Sequence, residues 1–309
     1  MSDLTRIVVG FDGSDAGRDA LILGELLARY GGDEMLATRV VTDGGREDRA
    51  KLAHDLADLI EATTVPVEPL ALVDGSPSRA LHELAESDPD CDLLVLGSTH
   101  RAGLGRVLPG SVAERLLSGA PCAVAVAPRG FAALAGRAGS SGGVDSPRRA
   151  PDIRVIAVGL DGSLEAQLAL ERSASLASLA RATLRVIGVG PKLTAMDRSR
   201  AAERTPEVRS DDLETLLHDV VAELPSELRT LPIFERGDPA EVLLARAEEG
   251  VDLLAVGSRG YGPIRSVLTG GVSAELVRRA PCPVLVTPRG AFGDLHDAHS
   301  GEEQGSRRS

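Results

Sequence analysis

The chain has no tryptophan, two tyrosines and four phenylalanines in 309 residues. Aromatics amount to only 2% against 43% apolar residues overall, so the cores have to be closed by Leu, Val, Ile and Ala. Basic residues are in deficit. Lys and Arg total 34 against 46 Asp and Glu, a formal charge of −12, which argues against nucleic acid, whose binders present a clustered basic face. The same charge disfavours anionic membrane surfaces. No apolar run approaches the roughly 20 residues that span a bilayer. The N-terminal run MSDLTRIVVGFDGS lacks the basic region and long apolar stretch of a secretory signal. With three cysteines a complete set of disulfides is excluded. Cys122 and Cys282, at matching places before apolar runs, read as small buried hydrophobes. The expected compartment is a reducing cytoplasm.

What the chain does have is internal repetition. IVVGFDGS from Ile7 matches IAVGLDGS from Ile156, so Asp12 corresponds to Asp161. Gly75-Ser76-Pro77 matches Gly237-Asp238-Pro239. GSTHRAGLGRVLPGSVAERLLSGAPCAVAVAPRG from Gly97 matches GSRGYGPIRSVLTGGVSAELVRRAPCPVLVTPRG from Gly257. The spacing widens between the first two pairs, which places an insertion in the second half, in the polar stretch MDRSRAAERTPEVRS.

Length allows two domains, read as residues 1–131 and 151–292. Residues 132–150, rich in Ala, Gly, Ser and Arg, read as a linker, and 293–309 as a polar disordered tail. Strand-like runs fall near residues 7–11, 35–41, 65–73, 93–96 and 122–127, then near 154–160, 183–189, 231–235, 253–256 and 284–287. Helical patterns at 15–29, 47–62, 78–86 and 111–118 alternate with the first set. Runs apolar on both faces between amphipathic helices predict, in each half, an open, mainly parallel five-stranded sheet covered on both sides. Ligands of such sheets sit at the carboxyl ends of the strands. The linker string SGGVDS (141–146) matches the phosphate loop of ATP pyrophosphatases, but no strand precedes it and no helix follows, so it is set aside.

Two constellations carry chemistry. Asp12 and Asp161 each end a strand within Asp-Gly-Ser, a good turn and helix cap and equally a carboxylate placed to accept hydrogen bonds from a ribose or base. Downstream, glycines at a strand-to-helix turn let backbone N–H groups approach an anion, and the positive helix end favours its charge. Here the sequence resembles the universal stress protein family in its tandem form, whose nucleotide-binding members carry Gly-x2-Gly-x9-Gly-(Ser/Thr). The resemblance implies an adenine nucleotide hydrolase-like, Rossmann-like α/β fold and ATP, with Mg2+ accompanying its phosphates. It maps Asp12, Gly97, Gly110, Ser111 and Val112 onto adenosine and phosphate contacts in the first half. In the second half it maps Asp161, Gly257, Gly260, Gly270, Gly271 and Val272. Backbone near Val40 and Val189 would hold the base.

Each copy departs from the motif once. His100 replaces the middle glycine of the first, where its ring either blocks phosphate or donates to one. Gly271 replaces the hydroxyl residue of the second, losing a hydrogen bond worth about 0.5–1.5 kcal/mol. The second site is therefore expected to bind ATP better. Arg101 and Arg106, like Arg259 and Arg265, read as exposed loop arginines or as charge beside the phosphates. No nucleophile–base set and no metal cluster is found. Ser14, Ser111 and Ser163 are explained as helix caps, and His54, His82 and His218 as surface positions. The resemblance implies pairing of the last strands, here within one chain or also between two. The expected function is an ATP-binding stress-response regulator with unidentified protein partners. A scaffold without nucleotide and a slow ATPase are the rivals.

Overall fold

A computed structural model describes residues 4–41, 63–138, 152–192, 210–258 and 271–288. The strands are β1 (Leu4–Gly10), β2 (Gly32–Val41), β3 (Val67–Val73), β4 (Cys91–Gly97) and β5 (Ala123–Ala127). The second half supplies β6 (Val155–Leu160), β7 (Thr183–Gly190), β8 (Thr230–Arg236), β9 (Leu253–Ser258) and β10 (Val284–Pro288). Four helices come from the first half, α1 (Asp15–Ala28), α2 (Pro77–Ser87), α3 (Ser111–Leu117) and α4 (Phe131–Ala138). The other four are α5 (Leu164–Ala180), α6 (Ser210–Glu223), α7 (Pro239–Ala247) and α8 (Val272–Arg279).

All ten strands join one sheet in the order β3-β2-β1-β4-β5-β10-β9-β6-β7-β8. Within each half the neighbours are parallel. The halves meet through β5 and β10, which run antiparallel with Val284 opposite Val126 and Val286 opposite Val124. The two expected five-stranded sheets are thus one continuous sheet.

The doubly apolar strands follow from this layering. In β1, Ile7 and Val9 enter one core layer and Val8 the other; in β4, Leu93 and Val95 oppose Leu94 and Leu96. Helices α1, α5 and α6 cover the first layer, and α2, α3, α7 and α8 the second. Both layers run through both halves. Phe11 is the one buried aromatic among the described residues. Aliphatic side chains such as Ile7, Leu94, Ile156 and Leu184 are fully buried, each worth about 1.5–3 kcal/mol. All three cysteines are free and buried.

The sheet ends at β3 and β8, and each carries a proline, Pro69 and Pro232. Proline lacks the N–H that a further strand would bond, which blunts an open edge. The segment read as linker differs from expectation at its start, where Phe131–Ala138 is helix. Its start is set from elsewhere. Asp19 of α1 accepts the N–H groups of Gly130 at 2.7 Å and Ala132 at 2.9 Å. The remaining linker, the SGGVDS string, the helical pattern at 47–62 with His54, most of the polar insertion and the tail lie outside the described residues. No helix among the described residues is long and apolar enough to cross a membrane.

Candidate functional site

The two Asp-Gly-Ser turns have the same geometry. Asp12 accepts the backbone N–H of Ser14 at 2.9 Å and its hydroxyl, while the Ser14 Oγ accepts the Gly17 N–H that opens α1. Asp161 accepts the N–H and hydroxyl of Ser163 at 3.0 and 2.6 Å, and Ser163 Oγ accepts the Ala166 N–H of α5. The glycine between has φ of 85° in one copy and 81° in the other, a region that glycine enters without strain. Capping, as expected of Ser14 and Ser163, therefore fixes an exposed carboxylate at each strand end.

In the first half the selected residues converge. Asp12, Val40, Gly97, Gly110, Ser111 and Val112 all line a single crevice of about 530 Å³ at the carboxyl ends of the strands. Gly110 caps α3 with φ of −82° and ψ of 175° and offers no side-chain acceptor, so the first N–H groups of α3 are left to face a ligand. His100 belongs to the same wall, and the crevice stays open beside it.

Gly97 has a reason to be glycine besides ligand approach. A Cβ there would stand 2.0 Å from the Ala16 carbonyl oxygen. At Gly257 it would stand 2.5 Å from Ala166 N. Both let the first turn of a helix lie against the end of a strand.

The segment between β4 and α3 is stitched into place. Ser98 donates its hydroxyl to Ala127 O at 2.7 Å and accepts Leu108 N–H at 3.1 Å. Thr99 N–H reaches Leu108 O, and Gly105 N–H reaches Arg129 O. The sequence signal for Ser98 is the Gly-Ser pair that repeats at Gly257-Ser258. Arg129 has its signal in Pro-Arg-Gly, which ends both repeat blocks. Its guanidinium donates to Ala102 O at 2.8 Å from the crevice wall.

Arg101 and Arg106 do not line this crevice. They face a separate hollow shared with Arg278, Arg279 and Glu248 of the second half, where Arg106 bonds Glu248 and the Arg279 carbonyl. The sequence alone does not show that the loop crosses the seam between halves.

In the second half Asp161, Val189, Gly257, Gly271 and Val272 are described, while Gly260, Gly270, Tyr261, Arg259 and Arg265 lie outside the described residues. Gly271 caps α8 as Gly110 caps α3, again without a side-chain acceptor. Val189 lines a hollow with Lys192 and Asp238.

Burial first, then the like charge of Asp15, raises the pKa of Asp19 in the crevice, against its two N–H bonds and Arg129. Thr38, 1% exposed, lies in the lining and its hydroxyl has no hydrogen-bond partner among the described residues. Among the described residues no group of three His, Cys, Asp or Glu side chains is placed to hold a metal ion. Tyr30 packs as its helix-end position suggests, and its hydroxyl reaches Asp152 of the second half at 3.0 Å.

The model of the universal stress protein family matches residues 4–128 and again residues 152–288. The chain belongs to the universal stress protein family. Like this chain, a universal stress protein of Mycobacterium tuberculosis aligns across more than one repeat, 28% identical over 221 residues, covering 69% of either chain. The universal stress protein YxiE of Bacillus subtilis is 29% identical over 140 residues, which is 42% of this chain and 95% of YxiE. A universal stress protein from Archaeoglobus fulgidus superposes with a TM-score of 0.64 at 20% identity, covering 94% of this chain and all of that one. That likeness concerns the fold.

Proposed function

We propose that this universal stress protein binds an adenine nucleotide in its first crevice and acts as a nucleotide-dependent regulator without dedicated catalytic groups. The observation that carries this is convergence. Six residues that the family resemblance maps onto nucleotide contacts line one cleft of about 530 Å³, within the range that encloses small ligands. The uncapped start of α3 suits phosphates. Both Ser14 bonds go to Asp12 Oδ1, and the other carboxylate oxygen, Oδ2, suits a ribose hydroxyl. Backbone at Val40 suits the base. The Thr38 hydroxyl in the lining, without a partner among the described residues, further supports a polar ligand, because a buried unsatisfied hydroxyl costs about 1–3 kcal/mol. Mg2+ accompanies the phosphates in this reading.

Small molecules released from the purified chain are identified by mass spectrometry, and ATP with Mg2+ is titrated into wild type and Asp12→Ala. Co-purifying adenine nucleotide, with binding weakened by Asp12→Ala, supports the reading. A chain that carries no nucleotide and takes up none at millimolar ATP acts as a scaffold, with His100 in place of the middle glycine as the first suspect.

A further inference from the structure

The first crevice presents an electrostatic problem to a phosphorylated ligand. Its wall includes three carboxylates, Asp12, Asp15 and Asp19, and among the described residues one Lys or Arg side chain, Arg129. Arg101 and Arg106, read from sequence either as exposed loop arginines or as charge beside the phosphates, lie in another hollow. Asp15 is offset by its ion pair with Arg18 at 3.0 Å, but an anion entering beside Asp12 and Asp19 meets repulsion that backbone dipoles offset only within the first turn of α3. A permanent cation on the wall changes that balance.

Arg129 is built for the purpose. It follows β5, and its backbone is held on both sides by the loop, its carbonyl accepting Gly105 N–H at 2.8 Å and its N–H donating to Arg106 O at 3.0 Å. One guanidinium N–H is anchored to Ala102 O. The other guanidinium N–H groups make no hydrogen bond among the described residues. The side chain is exposed, and the neighbouring Asp19 carboxylate is occupied by Gly130 and Ala132. Arg129 also lies one residue beyond the stretch, 4–128, that matches the family model.

We infer that Arg129 makes the first crevice select phosphorylated over unphosphorylated adenine compounds, by donating charge-assisted hydrogen bonds to the ligand's phosphate oxygens. The inference rests on the nucleotide reading above and adds its charge discrimination. A guanidinium suits the task because its planar donors match phosphate oxygens in pairs.

The full chain is titrated with Mg2+–ATP and separately with adenosine, following the amide resonances of Gly110, Ser111 and Val112, which report this crevice alone. Arg129→Gln is expected to weaken ATP roughly tenfold or more, as for loss of a hydrogen bond to a charged group, with adenosine unchanged. Arg129→Lys is expected to recover part of the loss, and added salt to narrow the gap. Equal weakening of ATP and adenosine overturns the inference, since Arg129 would then act only by holding the loop at Ala102. So does ATP binding that Arg129→Gln leaves intact, and in that case the nucleotide reading survives. Wild-type resonances that move with neither compound remove the reading and the inference together.

Discussion

Val107 of the first half donates its backbone N–H to the carbonyl of Ala280 in the second, at 3.0 Å. Val107 is fully buried and lies in the loop that runs from one wall of the first crevice, at Gly97, to the other at Gly110. One segment therefore closes the crevice and anchors it on the opposite repeat. Truncating this side chain by Val107→Ala is expected to lower stability by about 2 kcal/mol, read from a urea denaturation midpoint. An unshifted midpoint would show that the Val107 side chain does not contribute to the core layer shared by the two halves.

Two glycines give opposite expectations. Gly97→Ala drives a methyl group to 2.0 Å from backbone of α1, which cannot rotate away, so a loss of at least about 3 kcal/mol is expected. At Gly75 a Cβ meets nothing within 4 Å, and Gly75→Ala is expected to be neutral or to gain about 0.4–1 kcal/mol. Thermal unfolding of both variants checks the pair, and equal behaviour would contradict the close approach of α1 to β4.

Asp19 sets a pH dependence. Burial raises its pKa above the ordinary carboxylate range, so in that window the folded chain holds the proton that the unfolded chain has released. The associated stability is full below the unfolded value, about 3.9, and is lost as pH rises through the raised one. Wild type should therefore lose stability relative to Asp19→Asn on going upward from about pH 4. A constant difference between the two, measured by denaturant unfolding from about pH 4 to pH 7, contradicts this.

The thiols are expected to be silent. Burial, then the charge of Asp252, pushes Cys282 up to about 12. The contact with Cys91, whose sulfur lies 3.9 Å away, and burial raise Cys122 as well. Because the thiolate is the reactive form, Ellman's reagent at about pH 8 should detect none of the three in native protein and all three in denaturant. Rapid reaction of the native chain would place a sulfur at the surface.

Much of the architecture was legible in the chain because its signals are local. Alternation of doubly apolar strands with capped helices is written in consecutive residues, and so are Asp12, Gly97 and Gly110. What escaped depends on distant partners. Helix α4 begins where it does because Asp19, far back in α1, accepts its first N–H groups. Arg106 faces Glu248 and not the crevice because the loop reaches across to α8. Gly97 reads as a ligand glycine, yet its lack of a side chain is also required by Ala16, a contact no spacing rule encodes.

The antiparallel seam of β5 and β10 has a consequence for how the repeats can differ. Two separate chains meeting at such a seam would part on dilution, whereas a tether keeps the partner at high effective concentration. A substitution in a self-paired single-repeat chain also lands in both copies at once. Covalent joining lifts that constraint, so one half can hold His100 where the other has Gly260, and Ser111 where the other has Gly271.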